Sequence, residues 1–483
     1  MAILSISFVI VSILRFSAAI SALNEISKSP GDESKVEKIF TPVVSMATAV
    51  NEVDERFLSV AIESAIVHRW RHFDTSNVRL QTLCRGLSPA FLRVGGTSAD
   101  FLIFKPNGRS PRSNYEPRFE DSYQDEAFDG KHYDNFTMNA ESWDTLNTFA
   151  YQSGWDLLFD LNVLLRKADS SWDSENATHL LEYSIHKNYS QHLHFELGNE
   201  PDAFKHSVNR SLSADQLGRD FLALRSLVKQ DPRFARHFAR SLLVGPDVTR
   251  PKKKSLKYLS QYLRSKFLQV VGQRVDRVTF HQYYCNGRNT SLQEFLDPHT
   301  LSQLPMQISR LRYSIRKFDN VTLWLGETSS CYGGGAPVLS ESFVAGFLWA
   351  DKLGVAAVSG IQVVIRQSLF SGHYSLIDND YKPNPLPIEY EQGSVTLMIL
   401  NLRNRTSTID IEAKKHVYWL TAHGPKGLVS RLVDLNGKTL KMLDAHTLPE
   451  FQPQEVKSRT LSVPALSYGF VVLPEAAAPA CLE

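Results

Sequence analysis

The stretch LHFELGNEP at residues 193–201 decides how this chain folds. A short, strand-forming run enters Gly198-Asn199 and ends on a carboxylic acid, Glu200, followed at once by Pro201. Strands of a parallel barrel are covered by helices outside and by one another inside, so they read as brief apolar runs, and their functional groups sit at the carboxyl ends. A second run of this kind, VTLWLGET at 321–328, carries Glu327. Two carboxylic acids at strand ends of one barrel face the same mouth. Such a pair can flank a glycosidic bond, one protonating the leaving oxygen while the other attacks.

Working outward, six further runs alternate with amphipathic segments: FLSVAI (57–62), FLRVGG (91–96), WDLLFDL (155–161), LLVG (242–245), VTFH (278–281) and IQVVI (361–365). Helical periodicity is clearest over 213–229, 255–271 and 340–353. Eight strands in strict alternation predict an α/β fold, a (β/α)8 TIM barrel over 57–378, with Glu200 after its fourth strand and Glu327 after its seventh. The eighth helix is missing from this pattern. HYSLID (373–378) runs into NDYKPNPLP (379–387), where three prolines forbid a regular helix. From residue 393 the alternating runs VTLMIL (395–400), VYWL (417–420), LVSRLV (428–433) and YGFVVL (468–473) predict a truncated C-terminal β-sandwich over 379–483, to which residues 23–56 add a segment.

The chain has 483 residues, 43% hydrophobic and 22% charged, enough for a large core and too apolar for disorder. Its 53 basic and 51 acidic residues leave +2 overall, so bulk charge predicts no nucleic acid or other polyanion partner, and any such site must come from local clustering. Residues 1–22, an apolar run followed by small residues, read as a secretory signal. Seven Asn-x-Ser/Thr triplets, at Asn135, Asn176, Asn188, Asn209, Asn289, Asn320 and Asn404, fit a secreted glycoprotein. The polar stretch 107–131 reads as a long exposed loop open to cleavage. Four cysteines without metal-ligand spacing imply neither a zinc site nor a disulfide scaffold. Cys84 and Cys285 read as buried thiols, and Cys331 has no chemical task beside two carboxylates. No metal or organic cofactor is implied.

Four stretches resemble the heparanase family of retaining endo-β-glucuronidases: RGLSPAFLRVGGT (85–97), ELGNEP (196–201), HQYY (281–284) with NGR (286–288), and WLGETSSCYGGGAP (324–337). The likeness runs from about Phe57 to Cys481. It implies that Glu200 is the acid/base and Glu327 the nucleophile, with carboxyl groups roughly 5–5.5 Å apart. It also implies that Asn199 binds the 2-hydroxyl of the reacting sugar and that Gly333, Gly334 and Tyr374 hold the glucuronate carboxylate. Thr97, His281, Tyr283, Arg288, Tyr332 and Gln367 would line the cleft. The segment Arg250-Pro-Lys252-Lys253-Lys254, with Lys257, Arg264 and Lys266 beyond, suits a sulfated polymer; its lysines bind sulfate as point charges.

Two substitutions depart from the family. Glu63 stands in place of a strand-one aspartate and Gln282 in place of a second histidine, and both are expected to alter subsite fit. After Asp378 a long family segment is absent. That loss is expected to expose the outer face of strand eight, leave sandwich edges unpaired and deprive Cys481 of its disulfide partner. The resemblance implies heparan sulfate as substrate, in a secreted, extracellular matrix or lysosomal setting, with a processing protease acting on the 107–131 linker. Peripheral membrane association is compatible with this setting. Another glycosaminoglycan such as hyaluronan, or a non-catalytic heparan sulfate binding role, are the alternatives.

Overall fold

A computed structural model of the chain describes residues 10–16, 39–44, 46–68, 73–108, 134–251, 261–318, 321–378 and 394–479. Strands β1 (Ile10–Phe16) and β2 (Ile39–Phe40) precede the barrel strand β3 (Leu58–Glu63). Then come β4 (Ala90–Gly95), the small pair β5 (Leu102–Phe104) and β6 (Phe136–Met138), β7 (Trp155–Leu161), β8 (Leu193–Leu197), β9 (Val244–Val248), β10 (Arg277–Asn286), β11 (Leu323–Tyr332) and β12 (Ile361–Gln367). The longer helices are α1 (Val78–Arg85), α2 (Ala140–Ser153), α3 (Glu175–His186), α4 (Ala214–Arg225), α5 (Gln303–Ile315) and α6 (Ala345–Val358).

Eight strands lie in the order β8-β7-β4-β3-β12-β11-β10-β9, with neighbours along this order paired in parallel. The ring closes between β8 and β9, where Phe195 N donates to Leu242 O at 3.0 Å and Glu200 N to Asp247 O at 3.1 Å. All eight expected strands are present. Alternation along each strand then builds the interior in layers. Ala61, Phe91, Leu158, Val244, Trp324, Val363 and Ile365 form an apolar floor. Two residues further along the same inward faces come Glu63, Arg93, Asp160 and Gln367, a polar layer nearer the mouth. The outward faces, such as Leu92, Leu157 and Phe195, join the larger core beneath the helices.

The outer face of the eighth strand is covered, contrary to expectation. No helix lies among the described residues between β12 and the next strand, yet Val364 is fully buried and Arg366 nearly so. Helix α6 is apolar around most of its circumference and covers that face. Its Trp349 stacks under the Arg366 guanidinium at 4.7 Å, and Phe343 and Phe347 pack on Tyr468 of the second domain at 4.8 and 5.0 Å.

That domain contains β13 (Val395–Asn401), β14 (Ser407–Asp410), β15 (Lys415–Ala422), β16 (Val433–Leu435), β17 (Lys438–Thr439), β18 (Gln454–Val456), β19 (Thr460–Val463) and β20 (Ser467–Leu473). One sheet runs β1-β13-β20-β15-β16-β17 with β18 on β15; the other runs β19-β14-β2. Leu397, Ile399, Val417, Trp419, Leu461 and Val471 fill the space between. The run read as 428–433 is split: a short 3₁₀ turn occupies Gly427–Val429, and the strand begins only at Val433. Residues 39–40 pair in parallel with β14 of this domain. The edge of β13 is not left open either. Ile10–Phe16, part of the segment read as a leader, pairs with it in parallel from Ile10↔Thr396 to Phe16↔Asn401.

Candidate active site

Glu200 rises from a strained turn at the end of β8. Its backbone is left-handed, with φ 50° and ψ 48°, which costs a non-glycine residue on the order of 1–2 kcal/mol. Buried acceptors hold that turn. Gly198 N donates to Asp160 Oδ1 at 2.8 Å and Asn199 N to Asp100 Oδ2 at 3.2 Å. The Glu200 side chain projects into the mouth and is 31% exposed. Its Oε1 lies 3.0 Å from His281 Nδ1, and the other ring nitrogen of His281 faces Asp247 Oδ1 at 3.5 Å.

Glu327 reaches the mouth by another route. It does not follow its strand but lies inside β11, which continues to Tyr332. The pairing of β10 with β11 slips between Phe280↔Leu325 and His281↔Glu327, leaving Gly326 as an extra residue. Side chains alternate along a strand, so without this bulge Glu327 would point out of the barrel. Gly326 also faces inward, and a Cβ there would meet Asp247 Oδ1 at 2.7 Å. The bulge therefore needs glycine.

Arg93, from the middle of β4, binds the site together. Its Nε donates to Glu196 Oε2 at 2.7 Å, Nη1 to Glu327 Oε2 at 2.8 Å, and Nη2 to Asn199 Oδ1 at 3.0 Å and Asp247 Oδ2 at 3.3 Å. Tyr283 Oη donates to the second oxygen of Glu327 at 2.7 Å. Both Glu327 oxygens thus accept hydrogen bonds from fixed donors.

Beneath the pair, Asp100, Asp160, Glu196 and Asp247 are all fully or almost fully buried. Burial pushes the Asp100 carboxyl up to about 8 and drives Asp160 and Glu196 well above the usual carboxylate range. Burial alone would raise Asp247 too, but Arg93 and His281 hold it below that range. Burial would likewise lower His281, yet Glu327, Asp247 and Glu200 together raise it well above an ordinary histidine, which favours its charged form.

A pH dependence follows. Carboxyl groups whose pKa is higher in the folded chain bind more protons folded than unfolded, so their contribution to stability is full below about pH 4 and declines as pH rises towards 8. Each proton held only by the folded chain contributes on the order of 1 kcal/mol per pH unit. Thermal melts should show Tm falling over this range, with a shallower slope in Asp100→Asn. A flat or rising Tm would contradict the assignment.

Most of the sequence-derived cleft residues gather here. Gln367 Nε2 donates to Glu63 on the adjoining strands β12 and β3. Thr97 opens the turn after β4. Gly333, Gly334 and Gly335 follow one another at φ 78°, 76° and 87°, a path that L side chains disfavour. Gly334 O accepts from His373 N at 2.8 Å, which ties this loop to Tyr374, and the Tyr374 ring stacks on Tyr283 at 6.3 Å. Exposed Arg288 lies beside Gly333. Arg250 donates to Tyr283 O at 2.6 Å and spans the half-exposed Tyr332 ring at 5.3 Å.

Several expectations are corrected. Gln282 does not face the cleft: it points out of the barrel, where buried Lys352 of α6 donates to its Oε1 and to Ser329 O, each at 2.7 Å, and bonds Thr328 Oγ1. Lys352 thereby clamps β10 and β11 one residue from both His281 and Glu327. Cys285 is not a thiol but is disulfide-bonded to Cys331, because the bulged register makes them direct neighbours, Cα to Cα 4.5 Å. Cys84 is the free, buried thiol expected. Lys266 is engaged by Asp215 at 2.9 Å rather than free for a polyanion. Asn176 uses both ends of its amide on the Phe104 backbone, which makes it a poor glycan acceptor. Asn135, Asn188, Asn209, Asn289 and Asn404 are exposed. Lys252, Lys253, Lys254, Lys257, Asn320, Cys481 and the linker from 109 to 131 lie outside the described residues.

Arg93, Asp100, Asp160, Glu196 and Asp247 escaped the sequence reading. A signal was present, since the apolar runs FLRVGG, WDLLFDL and LHFELGNEP each contain a mid-strand charge, and buried charges demand partners.

The sequence as a whole is similar to known proteins. The family model described as glycosyl hydrolase family 79, N-terminal domain, matches residues 66–354. The chain is 36% identical to heparanase of Gallus gallus, with 90% of this chain and 95% of that protein covered. The alignment spans 509 positions although only 90% of these 483 residues enter it, so the relative carries internal residues that this chain lacks. It is 32% identical to inactive heparanase-2 of Homo sapiens, with 91% and 89% covered, and 30% identical to hyaluronoglucuronidase of Hirudo nipponia, with 89% and 97% covered. With the barrel, the paired glutamates and these matches in place, the chain belongs to glycosyl hydrolase family 79.

Proposed function

We propose that the protein is a retaining endo-β-glucuronidase that cleaves heparan sulfate chains in a secreted or lysosomal setting. The observation that carries this reading is the double grip on Glu327, by Arg93 at 2.8 Å and Tyr283 at 2.7 Å, opposite a Glu200 bonded to His281. A carboxylate fixed by two donors is oriented as a nucleophile, and the other carboxyl group serves as acid and then as base. Glu327 attacks the anomeric carbon while Glu200 transfers its proton to the leaving oxygen. Water then enters, Glu200 takes its proton, and Glu327 leaves the sugar. His281 supplies a donor to the Glu200 carboxylate at the step when it acts as base. Arg93 occupies the Asn199 oxygen, which turns the amide nitrogen to the 2-hydroxyl.

The sugar carboxylate fits the Gly333-Gly334 backbone and Tyr374, which offer N–H and hydroxyl donors. Arg250 and Arg288 at the rim suit sulfate groups. The heparanase and hyaluronoglucuronidase relatives support a glycosaminoglycan substrate. The inactive relative keeps a binding-only role in view, and the intact catalytic pair argues against it.

The test is intact mass after exposure to a 2-fluoro glucuronide, with peptide mapping of the adduct. One adduct on the Glu327 peptide is the expected result; no adduct on folded protein would favour binding without turnover. Chain-length analysis of heparan sulfate and hyaluronan, side by side, then separates the two substrates.

A further inference from the structure

The Cys285–Cys331 disulfide lies where the β10–β11 ladder ends, and it has no part in the chemistry above. The final register pairs are Cys285↔Cys331 and Asn286↔Tyr332. Beyond them both strands open into loops that meet at the cleft. On the β10 side, Asn286 Oδ1 accepts from Arg288 N at 3.1 Å, which shapes the turn that presents Arg288. On the β11 side follow Gly333, Gly334 and Gly335 in left-handed conformation.

The two loops touch through their backbones. Gly287 N donates to Tyr332 O at 3.0 Å, and a Cβ on Gly287 would overlap Gly335 O. The far side of the glycine loop is tied to the Tyr374 segment by His373 N to Gly334 O. Loop ends beyond a hydrogen-bonded ladder open at little cost, and a site that must hold an anion within fractions of an ångström cannot rely on them alone. Both sulfurs are buried, Cys285 at 4% and Cys331 at 0% exposure, which shields the bond from external thiols.

We propose that this disulfide is a positioning element for recognition of the sugar carboxylate, holding the Arg288 turn against the Gly333–Gly335 loop so that an acidic sugar is preferred over its neutral counterpart. The inference rests on the reading of Gly333, Gly334 and Tyr374 as the carboxylate cradle. It assigns the cysteines to selectivity and not to the catalytic step.

The experiment compares inhibition constants of two glucose-configured iminosugars, one bearing a C6 carboxylate and one neutral, on wild type and on Cys285→Ala/Cys331→Ala. Both proteins are normalised by active sites counted with the fluorinated glucuronide. The expected result is about a tenfold weaker binding of the acidic inhibitor in the variant, with the neutral one unchanged within about twofold. Equal losses for both inhibitors, or none, would overturn the inference and leave the cradle standing. No preference in wild type would overturn the cradle itself. Should the double alanine variant fold poorly, Cys285→Val/Cys331→Ala refills the space of the sulfurs without the bond, and the same ratio decides.

Discussion

Glu327→Gln should lower kcat on a glucuronide by about 10⁴-fold or more and abolish the covalent adduct, while leaving the fold intact. The amide is nearly isosteric: its oxygen can keep the bond from Arg93 Nη1, and its NH2 can donate to Tyr283 Oη, whose hydroxyl turns to accept. What disappears is the anionic nucleophile. Stability should hold, because Arg93 keeps Glu196 and Asp247 as partners. Glu200→Gln should differ in kind. With an aryl leaving group that departs unaided, the first step survives and the second slows, so the adduct accumulates. Circular dichroism melts together with kcat and adduct mass check both variants. Comparable turnover in Glu327→Gln would end the proposed mechanism.

Arg93→Met should be damaging in two ways, with kcat reduced about 10²–10³-fold and stability reduced by about 3–5 kcal/mol. The guanidinium is almost wholly buried and faces Glu196, Asp247 and Glu327 at 2.7, 3.3 and 2.8 Å. Removing it strands carboxylates in a low-dielectric interior and frees Glu327 to rotate. Arg93→Lys should fall between the two, since a single ammonium cannot bridge acceptors that a planar fork reaches at once. Acid should partly rescue the methionine variant, because the stranded carboxylates can then take up protons. Its Tm deficit should therefore be smaller at pH 4 than at pH 7, and a deficit that grows in acid would refute the electrostatic account.

Much of the site was legible because it lies on the strands. Short apolar runs named all eight barrel strands, and Glu200, Tyr283, Gln367 and Tyr374 lie where the motifs put them. The glycine loop was equally visible as Gly333-Gly334-Gly335. Glu327 reaches the mouth as expected but lies inside its strand and not after it, because a β-bulge leaves almost no trace in one strand's residues; it is defined by the register with the neighbouring strand. Gln282 was misassigned for the related reason that a motif names neighbours in sequence without saying which face each takes. Arg93 and its carboxylates were missed although they stood as charges inside apolar runs, because their meaning depends on which strands lie side by side.

By itself the sequence determined the period and number of the strands and the carboxylic acids at the barrel mouth, which are local patterns of polarity and backbone preference. Only the tertiary structure decided which cysteines meet, that α6 covers the eighth strand, that Gly326 turns Glu327 inward, and that one arginine balances several buried acids. These depend on strand register and on electrostatics across the barrel, where residues far apart in the chain become neighbours and the cost of burying each charge is set by what it faces.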